Sequence, residues 1–228
     1  MTMRNLRPTL KKNCSSVEPR KSVVKHYSML QLIEPIDGKD YYTSCYQFDN
    51  HSGQALIKII SDIMRKVCNK SRIDNWIKPD GTLKNKRNVE DQAIMKELIS
   101  AINTLLKEKT YLNIANLIMA IARLPKIIIY RKEFIRDLYY ALIYAHKLRI
   151  TASEAIVRNR NILRRQGRKI MQKSIGTTLL TKGLEFDVVI VFNAQLFNDP
   201  NHFYVALTRC SKRLVIVSNT AIRHPYNP

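Results

Sequence analysis

Two unbroken apolar runs, Val188-Val-Ile-Val-Phe192 and Leu214-Val-Ile-Val-Ser218, constrain the fold of this chain more than any other feature. A strand with one face in water alternates apolar and polar residues, whereas a strand covered on both faces reads as a continuous apolar stretch. Between the two runs lies a helix-compatible segment, Pro200 to Cys210, and before them the β-rich Ser174-Ile-Gly-Thr-Thr-Leu-Leu180. Strands joined through a helix, without alternation, predict buried parallel strands of an α/β layer over residues 171–228.

Upstream the period changes. Ser52 is placed to cap a helix whose apolar positions Leu56, Ile59, Ile60, Ile63 and Val67 follow helical spacing. A polar loop from Asn69 to Asn88 follows, and Asn88 with Glu90 and Asp91 opens a second helix carrying Ile94, Leu98, Ala101, Ile102 and Leu105 on one face. A third helix, Leu112 to Leu124, is closed by Pro125, and a fourth gathers Phe134, Leu138, Ala141, Leu142 and Ala145. Residues 51–170 are therefore expected to be a mainly helical, basic region. In residues 1–50 the alternation Asp40-Tyr-Tyr-Thr-Ser-Cys-Tyr-Gln-Phe48 predicts a strand, and Gly38 before it a hairpin turn.

The formal charge of +21 points to a polyanionic partner. Residues 171–228 hold six Lys/Arg and three Asp/Glu, a balance of +3, which leaves +18 in the first 170. Arg158-Asn-Arg-Asn-Ile-Leu-Arg-Arg-Gln-Gly-Arg-Lys169 is the densest basic stretch, and Arg164, Arg165 and Arg168 are its candidate phosphate contacts; a solvated helix face is the alternative. No apolar run reaches the roughly 20 residues that cross a bilayer, so a cytoplasmic protein without a membrane partner is expected. Cys14, Cys45, Cys68 and Cys210 form no C-x-x-C pair and predict reduced thiols, with no metal-ligating set.

Two segments carry chemistry: Thr181-Lys-Gly-Leu-Glu-Phe-Asp-Val-Val-Ile-Val191 and Phe203-Tyr-Val-Ala-Leu-Thr-Arg-Cys-Ser-Lys-Arg-Leu-Val-Ile-Val217. A glycine between a lysine and a buried strand lets backbone N–H groups approach a phosphate. An arginine near a helix end either favours the negative pole of that helix or offers a permanent charge to a phosphoryl group. Together the segments closely resemble motifs V and VI of UvrD-like superfamily 1 DNA helicases. The resemblance implies a partial RecA-like C-terminal helicase domain, preceded by helical material corresponding in position to the family's accessory domain. It implies Arg209 as the catalytic arginine finger, with Gly183 near the γ-phosphate of ATP and Glu185 on its ribose. Thr177, Thr178 and Lys182 would meet the DNA strand, and Tyr204 and Thr208 would support the finger; the alternative for Tyr204 is packing.

The chain departs from the family pattern at Leu179, where a histidine is usual, and at Asp199-Pro-Asn-His202, where an acidic-basic stretch is usual. None of its six glycines lies in a G-x-x-x-x-G-K-[ST] loop, and no apolar run ends in Asp-Glu. ATP phosphates and magnesium would thus be held by an ATP-binding helicase half encoded separately, and the chain alone is expected to be inactive. The expected partners are that half and single-stranded or partly duplex DNA. The rival expectations are a non-catalytic basic DNA-binding module and an inactive helicase remnant.

Overall fold

The computed structural model describes residues 30–36, 38–86, 88–166, 170 and 173–220, and the account below concerns these. The chain is mixed α/β, with helices dominant and two small parallel sheets. It divides into a helical unit, Glu34–Gln172, and an α/β unit formed by the residues on either side of it.

The helical unit contains α1 (Lys39–Asn50), α2 (Gly53–Val67), α3 (Lys70–Asp74), α4 (Val89–Lys107), α5 (Tyr111–Ala122), α6 (Lys132–Leu148) and α7 (Ala152–Gln166). From α4 onward each helix packs on its successor, and α7 returns to pack on α1. The apolar stripes anticipated in the sequence form the core: Leu56, Ile60, Ile63 and Val67 of α2, Leu98, Ile102 and Leu105 of α4, and Phe134, Leu138, Ala141, Leu142 and Ala145 of α6 are all buried. Asn88 caps α4, its side chain accepting from the Glu90 N–H, and Thr110 does the same for α5 from the Asn113 N–H. Ser52 occupies the cap position of α2, yet its side chain makes no capping bond.

One expectation is corrected here. Asp40 to Phe48 is not a strand, and Gly38 is not a hairpin turn but the residue preceding α1. The buried side chains are Tyr41, Ser44, Cys45 and Phe48, an i, i+3, i+4, i+7 set that defines a helix face. β-branched and aromatic composition pointed to a strand, and tertiary burial at helical spacing overrode it. The polar loop at 69–88 also gains structure. Arg65 fixes it, pairing with Asp62 at 2.9 Å and Asp74 at 2.8 Å and donating to the Ile77 and Lys78 carbonyls at 2.9 and 2.7 Å. Gly81 lies in this loop at φ +87°, where an added Cβ would meet the Lys58 backbone at 3.0 Å.

Two polar constructions lock α7. Its first N–H groups need partners: Thr151 Oγ1 accepts from Glu154, and the Asp49 carboxylate at the end of α1 accepts from Ala152 and Ser153 at 2.9 and 3.0 Å. The same carboxylate accepts from the Tyr111 hydroxyl at 2.8 Å. Further along, Arg160 is wholly buried, donates to Asp137 at 2.7 Å and stacks 3.7 Å from the Tyr41 ring centroid. Burial and the nearby acids push the Tyr41 hydroxyl well above its ordinary pKa, so the ring stays neutral.

The α/β unit has two parallel pairs. β1 (Gln31–Leu32) pairs with β2 (Ser174–Ile175), and β3 (Phe186–Val191) with β4 (Cys210–Ile216), Val189 facing Leu214 and Val191 facing Ile216. The parallel arrangement expected for the two apolar runs is present. The anticipated strand over Ser174–Leu180 is shorter, because Thr177 turns the chain into a single helical turn, α8 (Thr178–Thr181). Expected burial is not met either: Val188 and Ile190 are 54% and 43% exposed. Among the described residues one side of β3 is packed, Val189 and Val191 meeting Ala194, Phe197, Phe203 and Ala206. Among the described residues no helix is long and apolar enough to cross a membrane.

Two outcomes follow for the helical unit, which holds the only tryptophan, the buried Trp76, as a local reporter. Asp137→Ala strands the Arg160 charge and is expected to lower urea-unfolding stability, followed by Trp76 fluorescence, by about 3–5 kcal/mol. The double variant Asp137→Leu/Arg160→Met should recover most of that loss, since the penalty is the unpaired charge. Burial raises the Asp49 carboxyl, but the hydrogen bonds from Ser153, Tyr111 and Ala152 outweigh it and hold the group below its ordinary value. A depressed carboxyl contributes stability above its unfolded pKa and loses it as pH falls through the folded one. Wild-type stability should therefore drop below about pH 4, and Asp49→Asn should be weaker at neutral pH with a flatter acid limb.

Candidate nucleotide and nucleic-acid site

Arg209 follows α9 (Pro200–Leu207), which starts with Pro200 at its first turn and the Asp199 side chain accepting from the Asn201 N–H. The chain then turns at Thr208 and enters β4. The Arg209 carbonyl accepts from the Phe186 N–H at 2.9 Å, so the start of β3 is clamped to the arginine's own backbone. Its guanidinium spreads over three acceptors: Nε on the Val205 carbonyl at 3.1 Å, Nη1 on the Leu184 carbonyl at 3.3 Å, and Nη2 on Thr208 Oγ1 at 3.0 Å. The first is the helix-end contact anticipated for an arginine at a negative pole. The second crosses to the turn at residues 182–185 that leads into β3, so one side chain joins the two segments.

Thr208 supports Arg209 directly, its hydroxyl donating in turn to the Tyr204 carbonyl at 3.0 Å. Tyr204 contributes that carbonyl only; its ring is exposed, which corrects the packing reading. Gly183 has φ +81° with nothing within 4 Å of an added Cβ. Its requirement is the left-handed backbone of the turn, and the space beside it is open for a ligand. Lys182 and Glu185 flank it, both exposed. Thr177 caps α8, its hydroxyl accepting from the Leu180 N–H at 3.4 Å, and Thr178 begins that turn. Lys182, Gly183, Glu185 and Arg209 are thus brought to one end of the β3–β4 pair, while Thr177 and Thr178 are engaged in local turn chemistry.

The basic stretch divides. Arg160 points into the helical core, so it is removed from any phosphate-tracking surface. Arg164 and Arg165 are exposed on α7, with Arg164 reaching Asn161 at 2.5 Å and the Tyr42 hydroxyl at 3.5 Å. Arg158 is exposed and pairs with Glu154 at 2.5 Å. Arg168 lies outside the described residues. The tyrosines near this stretch escaped the sequence reading; their signal is the i, i+4 repeat of Tyr42 and Tyr46, and of Tyr140 and Tyr144, of which Tyr42 is half-buried against the core and the other three are exposed.

Among the described residues, Glu34 and Cys68 are two further ionisable groups shifted by burial. Burial raises the Glu34 carboxyl more than its Arg131 partner at 2.6 Å lowers it. Burial also pushes the Cys68 thiol up to about 12, marking it as an inert core thiol. Among the described residues no three His, Cys, Asp or Glu side chains converge as a metal cluster.

Comparison with family models, with curated proteins and with solved structures finds no match.

The left-handed turn gives a direct outcome. Gly183→Ala should destabilise the β3 turn by about 1–2 kcal/mol, because an L-residue is strained at this φ. Amide exchange along β3 should accelerate about tenfold while Trp76 fluorescence stays unchanged, since Trp76 belongs to the helical unit.

Proposed function

We propose that this chain is the C-terminal part of a UvrD-like superfamily 1 helicase, supplying Arg209 and Glu185 to an ATP site completed by a Walker A half outside these 228 residues. The observation carrying this reading is that Arg209, the glycine turn at Gly183 and Glu185 lie at one end of a parallel strand pair, joined by the bond from Arg209 to Leu184. Parallel sheets are ordinarily covered on both faces, and the exposure of Val188 and Ile190 supports a RecA-like sheet with further layers beyond the described residues.

In this reading ATP is the substrate and magnesium is held by carboxylates of the other half. Gly183 leaves room for backbone N–H groups to approach the γ-phosphate, and the Glu185 carboxylate accepts from a ribose hydroxyl. The guanidinium of Arg209, a fixed charge with a planar fork of donors, meets the negative charge that spreads over the transferred phosphoryl oxygens. The charge of +21 supports single-stranded or partly duplex DNA as the track.

A second reading, a non-catalytic DNA-binding module that keeps the helicase tail as scaffold, is favoured by the three internal acceptors that Arg209 already serves. ATPase assays separate the two. The chain alone should show no ATPase with or without DNA. Combined with the product of a neighbouring reading frame encoding a Walker A loop and an Asp-Glu pair, it should give a DNA-stimulated rate. Arg209→Ala should cut that rate about 10³-fold or more while DNA binding is retained. An undiminished rate in the variant would leave only the scaffold reading.

A further inference from the structure

We infer that α7 and its two neighbouring helices form a stacking platform for single-stranded nucleic acid, in which exposed tyrosines take the bases and the α7 arginines take the phosphates. This deepens the nucleic-acid part of the function proposed above and rests on that reading for its ligand, though on none of the ATP-site residues.

Packing of α7 on α1 and on α6 borders its exposed side with both helices. Toward α1, Arg164 reaches the Tyr42 hydroxyl at 3.5 Å, and one turn on Tyr46 is 63% exposed. Toward α6, Tyr144 is 41% exposed, and one turn away Tyr140 is 59% exposed. The antiparallel course of α1 and α7 is fixed at both ends, Asp49 meeting Ala152 and Tyr42 meeting Arg164. Tyr46 lies between those fixed points. Tyr140 is further held edge-on against Tyr139, with centroids 5.8 Å apart.

Three tyrosine rings, Tyr46, Tyr140 and Tyr144, are exposed on the two helices that flank α7. Here they alternate with guanidinium groups, and the chemistry that matches both is a chain of flat bases on a polyanionic backbone. Each base offers a π-face whatever its identity, so such a platform is tolerant of sequence, and its phosphate contacts make it salt-dependent. An anionic lipid surface would use the same charges, and a preference for bases over a bare sugar-phosphate backbone is what separates the two.

The test uses the full chain with two fluorescein-labelled ligands of about 15 nucleotides, oligothymidylate and an abasic oligodeoxynucleotide, read by anisotropy over a salt series. Wild type should prefer oligothymidylate about tenfold. Tyr46→Leu and the pair Tyr140→Leu/Tyr144→Leu should each remove most of that preference, leaving abasic binding and the salt slope unchanged. Arg158→Gln, Arg164→Gln and Arg165→Gln together should weaken both ligands and flatten the slope. Trp76 fluorescence, unchanged in every variant, verifies the fold. Equal binding of the two ligands by wild type would overturn the platform, as would tyrosine variants that retain the preference, or binding to phosphatidylserine vesicles with none to oligonucleotide. Binding as predicted by a chain that confers no Arg209-dependent ATPase on a Walker A partner would uphold the platform and remove the helicase reading.

Discussion

A single carboxylate, that of Asp49, is the joint on which the helical unit depends. It sits at the end of α1, takes the first two N–H groups of α7 and receives the hydroxyl of Tyr111 from α5. Three helices distant in sequence thereby share one acceptor. The negative charge also sits at the positive end of α7, so the helix dipole adds to the hydrogen bonds. The Asp49 backbone takes part as well, its carbonyl accepting from Lys109 at 2.9 Å. From this point the bundle is closed by Arg160, which returns from α7 to Asp137 on α6 and Tyr41 on α1.

The α/β unit is organised by a different constraint. Its strands are parallel, so they cannot be joined by a hairpin, and the connection must pass through a helix. That requirement delivers the C-terminal end of α9 to the start of β4, and the start of β4 lies beside the start of β3. Arg209 stands at this meeting point because of the crossover itself. The glycine turn is brought to the same end for the same reason, since it leads directly into β3.

Most of this architecture was legible because periodicity survives folding. The stripes of α2, α4 and α6 were readable from spacing alone, and so were the Asn88 cap and the two apolar runs. The failure over Asp40–Phe48 has a physical origin: four aromatic residues and a threonine favour extended backbone locally, whereas Tyr41, Ser44, Cys45 and Phe48 are buried together only on a helix. Arg160 was misread as surface because a guanidinium is ordinarily exposed; its acid partner lies 23 residues upstream, a separation that spacing within one helix cannot reveal. The Gly183 turn leading into β3, and Arg209 at the end of a helix, were legible from the order of residues. The geometry at Thr177 and Thr178 was not, since both are taken up by a helical turn that the β-rich composition of residues 174–180 concealed.

The way Arg209 is held alters what kind of charge it is. Three of its N–H groups already have oxygen acceptors, two of them backbone carbonyls. Anything outside that draws the guanidinium away must therefore leave the Val205 and Leu184 carbonyls to water. Engagement of this arginine is an exchange of hydrogen bonds, and its net free energy is the difference between two sets of comparable strength. A strongly charged acceptor shifts that exchange further than a neutral one does, which makes the resting contacts of the arginine a threshold.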